Sequence, residues 1–360
     1  MAALHVGIEP VLLALLVENG AVAPADVGWV MGAGQIGMTG GAMLCWAVSG
    51  AAGRPAAIAA AALALAASIG LALAPSPAAA MVARALLGAG MGLLLARANA
   101  AAARDRPHRA IGTIVLLQQL LASVVMVVLP VMAAWRDARF ALAALAVVPL
   151  IAGGLLLSAP ARRAPTVTPL PPDPAPPGGA MTAHLIALAM MLVPTVMIWS
   201  YLGLAGTAAG LDAHAAELAI AGASLASIPA GLIAALRPPR QAAARTTAIC
   251  GVAMLAPMLL PPGGGLLPYL AAMAAFNAGT TIATIRLGGW AMAGCGTARE
   301  RRLVTLGQCA AMAAGGPFGA LAIRGGGLPG LTALAMMAVA GAVVLLMPLR
   351  AGRARRFSRA

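Results

Sequence analysis

Ala56–Leu73 reads AAIAAAALALAASIGLAL, and Leu331–Leu346 reads LTALAMMAVAGAVVLL. Neither stretch holds a charge, and neither alternates polar with apolar residues. In hydrocarbon every backbone N–H and C=O needs an internal partner, so only helices and closed barrels can span a bilayer. Barrel strands would show a two-residue polar–apolar rhythm. Its absence makes these stretches helices, close to the roughly 20 residues that a crossing requires.

Stretches of the same kind fill the chain in both directions. Spans are expected near 3–21, 27–49, 56–74, 78–102, 110–133, 139–158, 183–204, 214–236, 246–261, 267–293, 303–322 and 329–349. Composition agrees: 62% of residues are hydrophobic and 9% charged, where a soluble domain carries about a quarter charged residues. The expected class is an all-α integral membrane protein of about twelve transmembrane helices. Connections are short and marked by Pro75-Ser76-Pro77, Pro238-Pro239 and Pro261-Pro262-Gly263, which favours antiparallel neighbours. Residues 4–20 lack a basic start and contain Glu9 and Glu18, so they read as a retained first span and not as a cleaved signal.

The net charge of +14 does not point to nucleic acid, because no basic domain or aromatic stacking platform accompanies it. All 23 basic residues are arginine, and most sit in alternate connections. One side holds Arg54, Arg104, Arg106, Arg109, Arg162, Arg163, Arg237, Arg240, Arg245, Arg299, Arg301, Arg302, Arg350, Arg353, Arg355, Arg356 and Arg359; the other holds Arg136, Arg139 and Arg324. Basic residues mark the cytoplasmic side. Both termini are therefore expected in the cytoplasm of a bacterial inner membrane, which needs an even number of crossings.

The longest polar segment, Ala159 to Gly179, holds Pro160, Pro165, Pro169, Pro171, Pro172, Pro174, Pro176 and Pro177. That density of proline favours an extended spacer. The expected organisation is a six-helix bundle over 1–158, a cytoplasmic linker over 159–182, a second six-helix bundle over 183–349 and a basic tail over 350–360. An internal repeat at an offset of 189 supports the division: Gly88 to Arg97 in the fourth span matches Asn277 to Arg286 in the tenth, and Gln119 matches Gln308. Such repeats suggest pseudo-two-fold symmetry about the membrane normal.

Arg84-Ala-Leu-Leu-Gly88-Ala-Gly90-Met-Gly92 resembles the fourth-helix motif R-x-x-x-G-x-G of the major facilitator superfamily of secondary transporters. Gly53-Arg54 stands where that family's loop between helices two and three ends in G-R. The likeness covers nearly the whole chain. The loop motif otherwise departs: its acidic residue falls at Gly50 and its leading glycine at Trp46. Pro130 stands without the glycines of the family's fifth-helix antiporter motif. The resemblance implies helices one, four, seven and ten around a central cavity, alternating access, a small-molecule substrate and no cofactor.

Charges within a bilayer are costly and indicate pairing or function. Five lie in spans: Glu9, Glu18, Arg84, Arg97 and Arg286. With residue 12 taken as the middle of span one, Glu18 lies about 9 Å outward, level with Arg84, and Glu9 roughly 4–5 Å inward. The expected pairs are Glu18–Arg84 and, more loosely, Glu9–Arg97. Either glutamate is a candidate proton carrier, since burial favours a neutral carboxyl and a neighbouring guanidinium a charged one. Arg97 and Arg286, matched in the repeat, could grip an anion in forked geometry or reach the inner headgroups. Gln118, Gln119, Asn277, Thr280, Thr281, Thr284 and Gln308, with Trp199, Ser200 and Tyr201 of span seven, are candidate cavity residues. Each of these could equally hold helices together or sit in an interfacial belt.

Gly32-Ala-Gly34-Gln-Ile-Gly37 spells a dinucleotide fingerprint, but no strand precedes it and no acid follows about twenty residues on. Gly28, Gly32, Gly37 and Gly41 read better as small residues admitting close helix contact. Cys45, Cys250, Cys295 and Cys309 lack metal-ligand spacing. No P-loop or zincin sequence occurs, and no histidine or cysteine constellation supports an intramembrane enzyme. The expected function is a monomeric secondary transporter of a small organic solute, leaning to an anion and coupled to protons. A transporter-like sensor or scaffold is the alternative.

Overall fold

The computed structural model describes residues 7–23, 26–48, 53–103, 107–158, 179–237 and 242–347, and every regular element among them is helical. Spans one to five are Glu9–Glu18, Val27–Ala47, Arg54–Ala72, Pro77–Ala102 and Pro107–Trp135. Span six is broken into Ala138–Ala144 and Val147–Ser158, span seven into Gly179–Ser200 and Leu202–Ala208, and span eight into Ala213–Ser224 and Ser227–Leu236. Span nine is Ala243–Leu255 with a 3-10 turn at Ala256–Met258, and span ten is Leu266–Ala293. Ala298–Leu346 holds spans eleven and twelve, which meet where Gly326 and Gly327 leave helical geometry. Gly327 has φ 58°, a left-handed conformation that favours glycine.

The twelve expected helices are thus present among the described residues. Eight helices are long and apolar enough to cross a membrane, one of them the merged Ala298–Leu346. Spans one and nine are shorter, and Val27–Ala47 is diluted by Gln35, Thr39 and its glycines. The linker from 159 to 178 and the tail from 348 lie outside the described residues.

Local chemistry explains the helix starts. Pro55 and Pro77 occupy first-turn positions, where the missing N–H costs nothing and the fixed φ suits a helix. Asp137 and Asp212 cap their helices by accepting from the amides of Phe140 and Ala215. The outer faces are apolar. Span five exposes Leu117, Leu120, Val124, Val127, Val128 and Val131 along one side, a stripe too large and continuous to face water. The chain is a multi-pass membrane protein.

Contacts group the described residues into two compact units. Unit one draws on Met1–Ala101, Val124–Gly178 and Gly296–Cys309; unit two draws on Ala102–Ser123, Gly179–Cys295 and Ala310–Ala360. Unit one is held by a glycine seam between spans two and four. A Cβ at Gly37 would strike the carbonyl of Ala85, one at Gly41 that of Ala89, one at Gly88 that of Gly34, and one at Gly92 that of Met38. Gly90 faces the other way, its absent Cβ lying 2.5 Å from the Ala60 carbonyl of span three. Two of the four glycines singled out from sequence, Gly28 and Gly32, meet nothing within 4 Å. The seam uses Gly34, Gly37 and Gly41 instead, because a helix of 3.6 residues per turn brings those three to one face.

Span ten is the central helix of unit two, packing against spans seven, eight and nine. Gly279, the repeat partner of Gly90, lies against span nine, where its Cβ would sit 2.8 Å from the Cys250 carbonyl. Gly90 meets span three in the equivalent way, so the 189-residue repeat recurs in the packing. Tyr269 Oη donates to the Leu202 carbonyl at 2.7 Å and ties span ten to the second piece of span seven.

Candidate functional site

The seam positions the charged centre of unit one. Arg84 stands one turn before Gly88 on span four, and its guanidinium lies over Gly34, where a Cβ would come within 2.8 Å of Nη2. Gln35 is the next residue on span two. Glu9, in the first turn of span one, meets both. Arg84 Nη2 donates to Glu9 Oε1 at 2.5 Å, and Gln35 Nε2 donates to Glu9 Oε2 at 3.3 Å. Glu9 and Arg84 are each 2% exposed and Gln35 3%. A small pocket lined by Glu9, Gly34, Met38, Arg84, Leu87, Gly88 and Met91 adjoins them. Arg84 Nε and Gln35 Oε1 are buried without partners, so the cluster has spare hydrogen-bonding capacity on both the donor and the acceptor side.

This pairing corrects the expected one. Glu18 ends its helix and is exposed, and Arg84 is bound to Glu9. The depth estimate fails because it centres span one by hydropathy and treats helices as parallel rods. The register of Arg84 is set by glycine packing against span two, which delivers its guanidinium beside Gln35. Glu9 also does not reach for Arg97; its partners are Arg84 and Gln35. Gln35 is the residue that sequence reading passed over. Its signal was its place as the only amide in the apolar, glycine-rich second span.

The motif glycines Gly88, Gly90 and Gly92 therefore serve close helix approach. Arg54 has a structural task as well: Nε and Nη2 donate to the carbonyls of Leu156 and Leu157 at 3.1 and 2.7 Å. It thereby satisfies the end of span six, where the helix dipole favours a cation. Arg286 is 7% exposed, and its Nη2 donates at 2.6 Å to the carbonyl of Arg237, the residue that closes Ser227–Leu236. It caps span eight. Its repeat partner Arg97 is half-buried.

The remaining candidates are dispersed. Asn277 is buried but donates to the Met273 carbonyl of its own helix, and Thr280 and Thr284 bond back likewise. Thr281 is buried near Gly231. Trp199 stacks on Phe276 with ring centroids 6.1 Å apart. Tyr201 occupies the break in span seven, with its ring close to Gly319. Gln119 is half-buried and groups with unit two, whereas Gln308 is buried and groups with unit one. No group of three or more metal-ligating side chains occurs among the described residues.

Comparison with solved structures matches the whole architecture. The human organic anion transporter MFSD10 (TETRAN) superposes with a TM-score of 0.68 at 16% identity, covering 96% of this chain and 95% of that one. The fold is that of the major facilitator superfamily. Two further structures with the major facilitator fold agree. The E. coli fucose:proton symporter FucP gives a TM-score of 0.66 at 14% identity over 96% of this chain and 95% of that one. The proton:xylose symporter XylE, bound to 6-bromo-6-deoxy-D-glucose, gives 0.64 at 15% identity over 94% and 90%. No protein-family model and no curated protein matches the sequence.

Proposed function

We propose that the chain is a secondary active transporter that moves a small organic solute across a bacterial inner membrane by alternating access. Two six-helix halves, 1–158 and 183–349, would move about a shared pocket, with 159–182 as the cytoplasmic linker. The observation that carries the reading is the buried Glu9–Arg84–Gln35 cluster inside a major facilitator fold. A carboxylate held by one guanidinium and one amide changes its proton affinity when either partner withdraws, which is what coupling to a proton gradient requires. Glu9 is the proposed carrier in preference to Glu18, which lies exposed at a helix end. The fold's presence in proton-coupled sugar symporters and in an organic anion transporter supports the class. The lean to an anionic solute rests on Arg97 and Arg286 as the matched arginines of the internal repeat.

A thermal-shift screen against metabolites and drugs identifies a ligand, and flux of that ligand in proteoliposomes tests the mechanism. Glu9→Gln is expected to abolish gradient-driven accumulation and retain counterflow exchange, with Glu18→Gln retaining both. Uphill transport at the unmodified rate in Glu9→Gln would remove the coupling role. The absence of flux of any bound solute would favour a sensor.

A further inference from the structure

Gln35 turns its nitrogen to Glu9 and buries its oxygen. Nε2 donates to Glu9 Oε2 at 3.3 Å and lies 3.5 Å from Oε1, while the amide oxygen is buried without a partner. This is the orientation a charged carboxylate demands, since it only accepts. The two carboxylate oxygens are not equivalent. Oε1 takes the 2.5 Å hydrogen bond from Arg84 Nη2, a group that keeps its own proton. A proton arriving on Glu9 therefore settles on Oε2, the oxygen that faces Gln35.

Two donors then meet, the new carboxyl O–H and the amide N–H. A donor buried at 2% exposure is costly to leave unmatched. The residues around the adjoining pocket offer little: Leu87 is apolar, Met38 and Met91 carry thioethers, which accept weakly, and Gly34 and Gly88 lie within helices whose carbonyls serve the backbone. The strong acceptor beside Oε2 that has no partner is the other end of the same amide. The two ends of an amide are nearly the same size, and the last torsion of a glutamine is broad. A half turn about that bond exchanges nitrogen for oxygen and moves neither helix.

The surrounding charges leave this exchange to Glu9 and Arg84. Span one packs on span two and on Ala138–Ala144. Span two holds no charge between Val27 and Ala47, and its Cys45 stands about 15 Å along the axis from Gln35. Arg139, the charged residue of Ala138–Ala144, is exposed. On span four, Arg97 lies about 20 Å along the axis from Arg84. Glu18, at the far end of span one, is exposed.

We propose that Gln35 is a positioning residue whose amide turns over with the proton on Glu9. It donates through Nε2 to the carboxylate and accepts through Oε1 from the neutral acid. The proton stays on Glu9, Arg84 stays charged, and Gln35 gains and loses none. Glu9 thereby keeps a hydrogen bond in both states, so it loads and unloads with spans two and four still meshed. The proposal rests on the reading of Glu9 as the proton carrier.

Infrared difference spectra of purified protein, acid minus alkaline, test it without any solute. In protein synthesised cell-free with carbon-13 glutamine, a labelled amide carbonyl stretch is expected to move to lower wavenumber in step with the rise of a buried carboxyl band. Gln35→Met should abolish the amide signal and move the carboxyl band to the position of an unbonded O–H. Because the amide supports both forms, Gln35→Met should raise the proton affinity of Glu9 by no more than about fivefold, the difference between a charged and a neutral hydrogen bond; an amide fixed as a donor predicts a rise of about 10- to 100-fold. Should Gln35→Met fail to fold, Gln35→Asn makes the same assignment, since its amide drops out of the labelled spectrum. A carboxyl band that titrates while the labelled amide stays silent, or a rise of tenfold or more in Gln35→Met, would overturn the proposal and leave Glu9 as carrier. A protein that shows no buried carboxyl band at any pH at which it stays folded would overturn both.

Discussion

Removing one charge of the Glu9–Arg84 pair should not be symmetric. The two side chains are 2% and 3% exposed, and breaking a pair so deeply placed costs about 3–5 kcal/mol. Glu9→Gln leaves a buried guanidinium, which cannot shed its proton. Arg84→Gln leaves a carboxylic acid, which can take up a proton and become neutral, avoiding most of the cost of a bare charge. Glu9→Gln therefore belongs near 5 kcal/mol and Arg84→Gln near 3 kcal/mol or below. The double variant buries two amides that can bond to each other and to Gln35, so it should recover about 2–3 kcal/mol of the larger loss. At about 2–4 °C per kcal/mol for a unit of this size, the melting temperature in detergent at pH 7 should fall by roughly 10–20 °C in Glu9→Gln. The double variant and Arg84→Gln are both expected to melt above Glu9→Gln. A double variant no more stable than Glu9→Gln, or an Arg84→Gln variant that melts below it, would refute the argument that an uncompensated cation dominates.

Three further outcomes follow from the packing. Gly37→Val or Gly41→Val drives side-chain carbon into the backbone of span four and should prevent stable folding, as judged by loss of a monodisperse peak; Gly32→Ala, with no atom within 4 Å, should melt within about 1 °C of the unmodified protein on the scale of surface changes. Tyr269→Phe strips the donor from the buried Leu202 carbonyl and should cost about 1–3 kcal/mol, seen as a lowered melting temperature with unchanged helical circular dichroism. Gly327→Ala forces a Cβ into φ 58° and should cost about 1–2 kcal/mol, again read as a melting shift.

Much of the architecture was readable before any coordinates. Apolar runs without alternation, alternating arginine-rich connections and the 189-residue repeat led to twelve helices, and the match of Gly90 with Gly279 survives as equivalent packing against spans three and nine. The site was only half readable. Burial cost marked Glu9, Arg84 and Arg286 as residues needing partners, because intramembrane charge is rare. Which partner each would take was not encoded in depth along an axis. Arg84 finds Glu9 because carbonyl–glycine contacts fix the register of spans two and four, and a one-dimensional string does not show which glycine faces which carbonyl. Arg286 finds a backbone carbonyl, an acceptor that every residue carries and that no sequence pattern marks. Gln35 was hidden for a related reason: it sits inside a glycine string whose false resemblance to a nucleotide motif drew attention to the glycines and away from the amide between them.

The carbonyls of Ala85 and Ala89 project into spaces that only a hydrogen atom on the opposing α-carbon leaves open. Two helices meshed in this way resist sliding, since a displacement of about one residue's rise, 1.5 Å, would push an oxygen into the neighbouring carbon. Shear between spans two and four is thereby forbidden. Any backbone motion that parts Glu9 from Arg84 then falls to the first helix, with the meshed pair as its fixed support.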